Sequence, residues 1–296
     1  GCRQGDLNIA VTGEIVVVCS RADPASLNIY ERLLERRSWV QQQGYRSWEH
    51  FRLLVHDERQ TALTGLDARL AQLGLNPSVV VFASRHEAKA AMPWFGGHFT
   101  GLLEGENVGL SQAAPLALRS FLQNIRSLAL PGYAVSAEAT HHGPVDVRAP
   151  CFFAEIGSTG REWQDRAAGV AAAEAILAME PAAGGGEGAG RGANEIPVFL
   201  GFGGGHYVPR QTELMSRAAV SFGHMFSSYQ THAVNADVLE AARARSNASL
   251  AFIDRKSLKS DERKRIEGLL SDEGLPVLRS REILAEFPLP QKSPLA

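Results

Sequence analysis

Hydrophobic and polar positions along the chain switch between two periods. Short apolar or β-branched runs, of the kind that form strands buried on both faces, stand at Glu14–Cys19, Phe51–His56, Ser78–Ala83, Tyr133–Thr140, Cys151–Gly157 and Ile196–Phe202. Helical spacing lies between them. Asp23-Pro24, an N-cap followed by Pro at the first helical position, opens a helix to about Leu34. Leu66–Leu73, Ser111–Leu128 and Gln211–Phe222 also read as helices, and Thr159-x-x-Glu162 is a capping box for a helix running to about Met179. Asn235–Ala244, Ser249–Ile253, Asp261–Leu270 and Pro276–Leu278 complete the alternation. Residues 84–110 read as irregular, rich in Gly, His and Pro. Residues 180–195 are dominated by Gly and Ala and read as a flexible insertion, and 286–296 as a loose tail. Alternating β and α units predict an α/β class with a mixed, largely parallel sheet covered by helices. The expected organisation is one catalytic domain over 1–285, divisible into two subdomains.

Composition narrows the function classes. The chain has 296 residues, 45% of them hydrophobic and 21% charged, enough to bury a sizeable core without staples. No apolar run is long enough for a membrane span, so no membrane partner is expected. Three cysteines, Cys2, Cys19 and Cys151, make neither a disulfide framework nor a zinc finger, and they suit a reducing, cytoplasmic compartment. No signal peptide or transit segment is evident, and the missing initiator Met is read as truncation or processing. A net charge of −2 argues against coating nucleic acid through bulk positive charge but leaves room for a local basic patch.

Ligands of open α/β sheets bind beyond the carboxyl ends of the strands. Polar groups collect there: Ser84-Arg85-His86, His141-His142-Gly143-Pro144 and Gly203-Gly204-Gly205-His206-Tyr207. With His98, five of the nine histidines fall in such positions. His141 and His142 would point to opposite faces of an extended strand, and reach one centre only if the chain turns at Gly143-Pro144. They read as a general base or metal ligands, or else as one structural and one exposed histidine. Glu155, between Ala154 and Ile156, must be paired or lie at the sheet's end with a raised pKa, or else occupy an exposed edge. The glycines before His206 could cradle an anion or simply make a tight turn. The stretch from Gly201 to His206 lacks the last glycine of a dinucleotide fingerprint, and no Walker lysine or nucleophile elbow is present. Water, rather than an acyl-enzyme, is therefore the expected nucleophile. The basic run Arg255-Lys256, Lys259 and Arg263-Lys264-Arg265 is either a solvated helix face or a phosphate contact.

Several blocks together resemble the D-aminoacyl-tRNA deacylases of the archaeal and plant type. They are Val18-Cys19-Ser20-Arg21-x-Asp23-Pro24-Ala25-Ser26-Leu27-Asn28-Ile29, then Phe82-Ala83-Ser84-Arg85-His86 with Lys89, and Ala139-Thr140-His141-His142-Gly143-Pro144. Phe152-Phe153-x-Glu155-Ile156-Gly157-Ser158-Thr159 with Trp163, and Gly201–Tyr207 with Pro209, follow in the family's order. Two features depart from it: the His-Pro-Thr-Gly-Asn-type segment reads Gly97-His98-Phe99-Thr100-Gly101-Leu102, and the Gly/Ala-rich stretch looks like an addition.

The resemblance implies hydrolysis of the ester between a D-amino acid and the terminal ribose of tRNA, and a three-layer α/β/α sandwich similar to phosphorylases and peptidyl hydrolases. It implies association with zinc, with His141, His142 and Glu155 as ligands. His141, His142, Glu155 and His206 are then the expected catalytic groups, with His206 and the Gly204 and Gly205 N–H groups stabilising the oxyanion or holding the terminal adenosine. Ser84, Arg85, His86, Lys89, His98, Gly203, Gly204, Gly205, Tyr207 and Arg210 are expected to bind the substrate. The partner is the acceptor end of tRNA, and a monomer is compatible with the sequence. A metal-dependent hydrolase of a small substrate, or a tRNA-end binding module without turnover, are the alternatives.

Overall fold

The strand Ile15–Val18 shows how the layers arise. Its alternate residues serve different cores: Ile15 and Val17 face one cluster, Val16 and Val18 another. A strand apolar on both faces must be covered on both faces. The computed structural model describes residues 13–104, 108–180 and 196–290.

The first half runs β1 (Glu14–Ser20), α1 (Pro24–Arg36), β2 (Val40–Gln41), β3 (Arg46–Trp48), β4 (Phe51–His56), α2 (Leu66–Gln72), β5 (Pro77–Glu87), β6 (Trp94–His98), β7 (Gly101–Leu102) and β8 (Gly109–Leu110). Then come α3 (Pro115–Leu128), β9 (Ala134–Ala137), β10 (Cys151–Ser158), α4 (Gly160–Trp163) and α5 (Arg166–Leu177). The remainder runs β11 (Val198–Phe202), α6 (Pro209–Arg217), β12 (Ser221–Phe226), α7 (Ala236–Ser246), β13 (Leu250–Ile253), α8 (Ser260–Asp272) and α9 (Ser280–Glu286).

An eight-stranded sheet has the order β2-β3-β4-β1-β5-β10-β6-β9. Its centre is parallel, while β6 runs antiparallel to β10, and β2 and β3 form an antiparallel edge. A second sheet, β12-β11-β13, is parallel throughout. Helices α1, α3 and α5 cover one face of the large sheet, and α2 covers the other through Leu66 and Leu70. The expected mixed, largely parallel α/β architecture is the observed one. Helix α5, half of it alanine, is apolar over most of its surface and largely buried. It crosses α1 so closely that a Cβ on Gly169 would lie 2.2 Å from Asn28 Oδ1.

Several boundaries differ from the sequence reading. The expected irregular stretch 84–110 contains the end of β5 and all of β6. Glycines disguised β6, and they sit there because neighbouring backbone leaves no room: a Cβ on Gly97 would lie 2.1 Å from the Phe153 carbonyl oxygen. The helix expected at Gln211–Phe222 ends at Arg217, and Ser221–Phe226 is a fully buried strand. Its aromatic, apolar run is buried along its whole length at the edge of the small parallel sheet, which suits a covered strand better than an amphipathic helix. The helix expected from Thr159 is two helices. The Thr159–Glu162 capping box is present, but Asp165 accepts from the Ala167 N–H and starts α5 afresh. The tail does not begin at 286, because Phe287 packs on the core and its carbonyl accepts from Ala219 N–H. The Gly/Ala-rich stretch from 181 to 195, residues 291–296 and Cys2 lie outside the described residues. No helix among the described residues is long and apolar enough to cross a membrane.

Candidate active site

The site follows from strand alternation on one face of the large sheet. On β5, Val80 and Phe82 belong to the core on that face, and the next two residues of the same parity are Ser84 and His86. On β10 the same face carries Cys151, Phe153 and then Glu155. The parallel register pairs Glu155 with Ser84 and Gly157 with His86. One face thus turns from apolar to polar along both strands, above the stacked rings of Phe82 and Phe153, whose centroids are 4.9 Å apart. Gly157 leaves the His86 ring its place, since a Cβ there would come within 2.8 Å of it.

Three histidines form the first group. His98 ends β6 and is fully buried, with ring centroids 4.0 Å from His141 and 4.6 Å from His142. His142 has φ 39°, in the left-handed region, and this turn lets adjacent histidines meet on one side. Each Nδ1 faces a backbone carbonyl: Phe99 for His98 at 3.0 Å, Ala139 for His141 at 2.8 Å and Gly143 for His142 at 2.6 Å. The hydrogen is therefore assigned to Nδ1, which leaves the Nε2 lone pairs available. One ligand atom from each histidine lies within 4.8 Å of the others. Burial holds all three pKa values down, joined for His141 by repulsion from His98 and His142; His142 falls to about 3.

The second group pairs imidazole with carboxylate. Glu138, fully buried just after β9, places Oε1 2.9 Å from His206 Nε2 and 3.1 Å from His86 Nδ1. His86 Nε2 lies 2.8 Å from the Tyr207 hydroxyl. Glu138 attracts His206 and raises its pKa against the opposing effect of burial, whereas burial lowers that of His86. Glu155 stands between the groups, with Oε1 3.7 Å from His98 Nε2 and Oε2 3.8 Å from His86 Nδ1. Burial first, then the charge of Asp23, raises its pKa well above the ordinary carboxylate range.

The two sheets meet here. Glu138 and Tyr207 form an antiparallel bridge, Ala139 N–H donates to His206 O and Thr140 N–H donates to Met225 O. A cavity of about 220 Å³ opens beside His141 and His142, bounded by Leu102, Tyr229, Gln230 and His232.

A profile of the D-aminoacyl-tRNA deacylase family matches residues 73–278. This chain belongs to the D-aminoacyl-tRNA deacylase family. It is 43% identical over 270 residues to a D-aminoacyl-tRNA deacylase of Methanothrix thermoacetophila, covering 91% of this chain and 98% of that protein. The relative from Methanosarcina barkeri is 36% identical, covering 93% of this chain and 92% of its own length. The relative from Methanococcoides burtonii is 38% identical, and this chain spans 59% of its length. The crystal structure of a conserved protein of unknown function matches with a TM-score of 0.82 at 29% identity, over 94% of this chain and 99% of that one.

Not every residue expected to serve the deacylase site takes its expected role. His141, His142, Glu155, His86, His206 and Tyr207 come together. His98, expected to bind substrate, is instead buried against His141 and His142, with one ring nitrogen of each within 4.8 Å of the others; Glu155, expected beside His141 and His142, groups with His98 and Glu138. Ser84 donates to Asp23 Oδ2 at 3.1 Å, so its hydroxyl braces the α1 N-cap. Arg85 points to the opposite face, its guanidinium 5.0 Å from the Trp163 ring centroid. Lys89 is exposed on the turn after β5. Of the two N–H groups expected at the oxyanion, that of Gly204 is taken, donating to Ser257 Oγ at 2.7 Å, and the Gly203 N–H beside it donates to Phe226 O at 2.8 Å. With φ near +90°, both shape the turn that delivers His206, while Gly205 is exposed. Arg210 is exposed at the start of α6 and pairs with Glu213 at 3.0 Å. The sequence reading missed Glu138. The argument applied to Glu155, a carboxylate in an apolar strand, holds equally for Tyr133–Thr140.

Proposed function

We propose that this protein hydrolyses the ester between a D-amino acid and the 3′-terminal ribose of tRNA, releasing free tRNA and the D-amino acid. The observation that carries the reading is the meeting, in a chain of this family, of a carbonyl-anchored histidine triad with a carboxylate-bound histidine pair.

One buried atom of the first group suits a divalent cation: His98 Nε2 has no hydrogen-bond partner among the described residues. His98, His141 and His142 would hold a zinc ion, which when bound acts as a Lewis acid and lowers the pKa of water. The other groups move protons. Glu155, whose oxygens stand 3.7 Å from His98 Nε2 and 3.8 Å from His86 Nδ1, takes in its ionised form the proton of the attacking water as the water oxygen adds to the ester carbonyl. His206, half-exposed at the opening and with its affinity for a proton raised by Glu138, stabilises the tetrahedral oxyanion in its protonated form. It then donates its proton to the ribose oxygen as the ester C–O bond breaks, and the proton on Glu155 restores it through solvent. The D-side chain occupies the cavity beside His141, where a side chain of the other hand would clash.

The test compares hydrolysis of D-Tyr-tRNA and L-Tyr-tRNA, with and without chelator. Preferential D-Tyr-tRNA turnover that is lost on chelation and restored by zinc is expected. Stable D-Tyr-tRNA would reduce the protein to a binding module. Chelator-insensitive turnover by metal-free protein would remove the zinc.

A further inference from the structure

The basic run 255–265 does not act as one patch. Arg265 turns inward, donating to the Val234 carbonyl at 2.7 Å and to Glu262, while Arg255 and Lys256 lie on the turn after β13. There they meet cations from two other segments. Arg210, Arg255, Lys256, Arg279 and Arg281 line a groove of about 360 Å³ whose acidic lining residue is Asp254. In a chain whose net charge is −2, this is a strong local concentration of positive charge. Arg210 and Arg255 have carboxylate partners in Glu213 and Glu267. Among the described residues, Lys256, Arg279 and Arg281 have no ion-pair partner within salt-bridge distance.

The groove adjoins the site through hydrogen bonds. Asp254 N–H donates to Phe202 O, and Ser257 Oγ accepts from Gly204 N–H at 2.7 Å, so the turn bearing Lys256 is fastened to the turn that delivers His206. Arg210 stands four residues beyond His206. The groove is polar and cationic, with no aromatic platform besides Phe252, which is buried. Such a surface fits a chain of phosphates, which it can grip without reading bases.

We infer that this groove binds the sugar-phosphate backbone of the acceptor stem, so that the 3′ end passes over Gly205 to the histidines. The inference rests on the proposed tRNA substrate.

The test measures binding of deacylated tRNA to Lys256→Glu, Arg281→Glu and the double variant across a salt series, with Arg126→Glu, an exposed position on α3, as control. All these side chains are exposed, so folding is expected to be preserved. Loss of two phosphate contacts should lower the slope of log K against log salt by about 2 and weaken binding roughly tenfold or more, with the control unchanged. Unchanged affinity and slope in the double variant, equal loss in the control, or no binding of deacylated tRNA by the parent protein would each overturn the inference. Hydrolysis of D-tyrosyl-adenosine, which carries no phosphate, separates the two claims. It should be untouched in the double variant, and its absence in the parent protein would count against the proposed reaction rather than the groove.

Discussion

The two histidine groups use the same side chain for opposite ends. In the His98–His141–His142 group every Nδ1 is tied to a backbone carbonyl, and burial disfavours the charged ring. In the His86–Glu138–His206 group a buried carboxylate provides negative charge, and His206 gains affinity for a proton. The first arrangement leaves neutral nitrogens with free lone pairs, which suits holding a cation. The second suits transferring protons. What distinguishes them is the partner of the second ring nitrogen, an amide carbonyl in one group and an acid in the other.

The largest expected effect falls on the first group. His141→Ala or His142→Ala should lower D-aminoacyl-tRNA hydrolysis by at least about 10³-fold and remove bound zinc, measured by single-turnover assay and metal analysis. Removal of Glu138 comes next. Glu138→Gln should lower kcat about 10²–10³-fold through the lost support of His206. His206→Ala should show a similar loss in kcat while retaining zinc. If it loses zinc as completely as His141→Ala, the division of labour fails. Tyr207→Phe removes the hydroxyl beside His86 Nε2 and should cost about tenfold or less in kcat, because His86 keeps its contact with Glu138.

The smallest effect lies outside both groups. Burial pushes the Glu162 carboxyl up, but hydrogen bonds from the Thr159 hydroxyl and backbone outweigh it, and its pKa lies below the usual value. Its stabilising contribution is complete above the unfolded pKa and fades as pH falls through the folded one. Thr159→Ala should therefore cost about 1 kcal/mol at neutral pH and less in acid, read from denaturant midpoints. An effect that grew in acid would contradict the capping geometry.

Much of the fold was legible because burial on both faces leaves continuous apolar runs, as in Glu14–Cys19 and Cys151–Gly157. The strand β6 was hidden because its glycines answer to the carbonyl of Phe153, a neighbour remote in sequence. The strand β12 was hidden because its apolar run follows a helix without a Gly or Pro stop. At the site, the histidines were legible as a cluster, but their partners were not. Which carbonyl meets which Nδ1 depends on the turn at His142. The capture of the Gly204 N–H by Ser257 joins residues 53 positions apart.

The seam between the sheets has a consequence for the birth of the enzyme. His98, Glu138 and Glu155 ride on the first sheet, whereas His206 and Tyr207 arrive on the turn after β11, and the Glu138–Tyr207 bridge joins them. Neither sheet alone carries the proton-handling pair. A nascent chain with only its first sheet formed holds His98 and Glu155 but lacks His206, the group proposed to serve the leaving ribose oxygen. On the proposed mechanism hydrolysis begins only when the second sheet docks, which makes turnover a readout of completed folding.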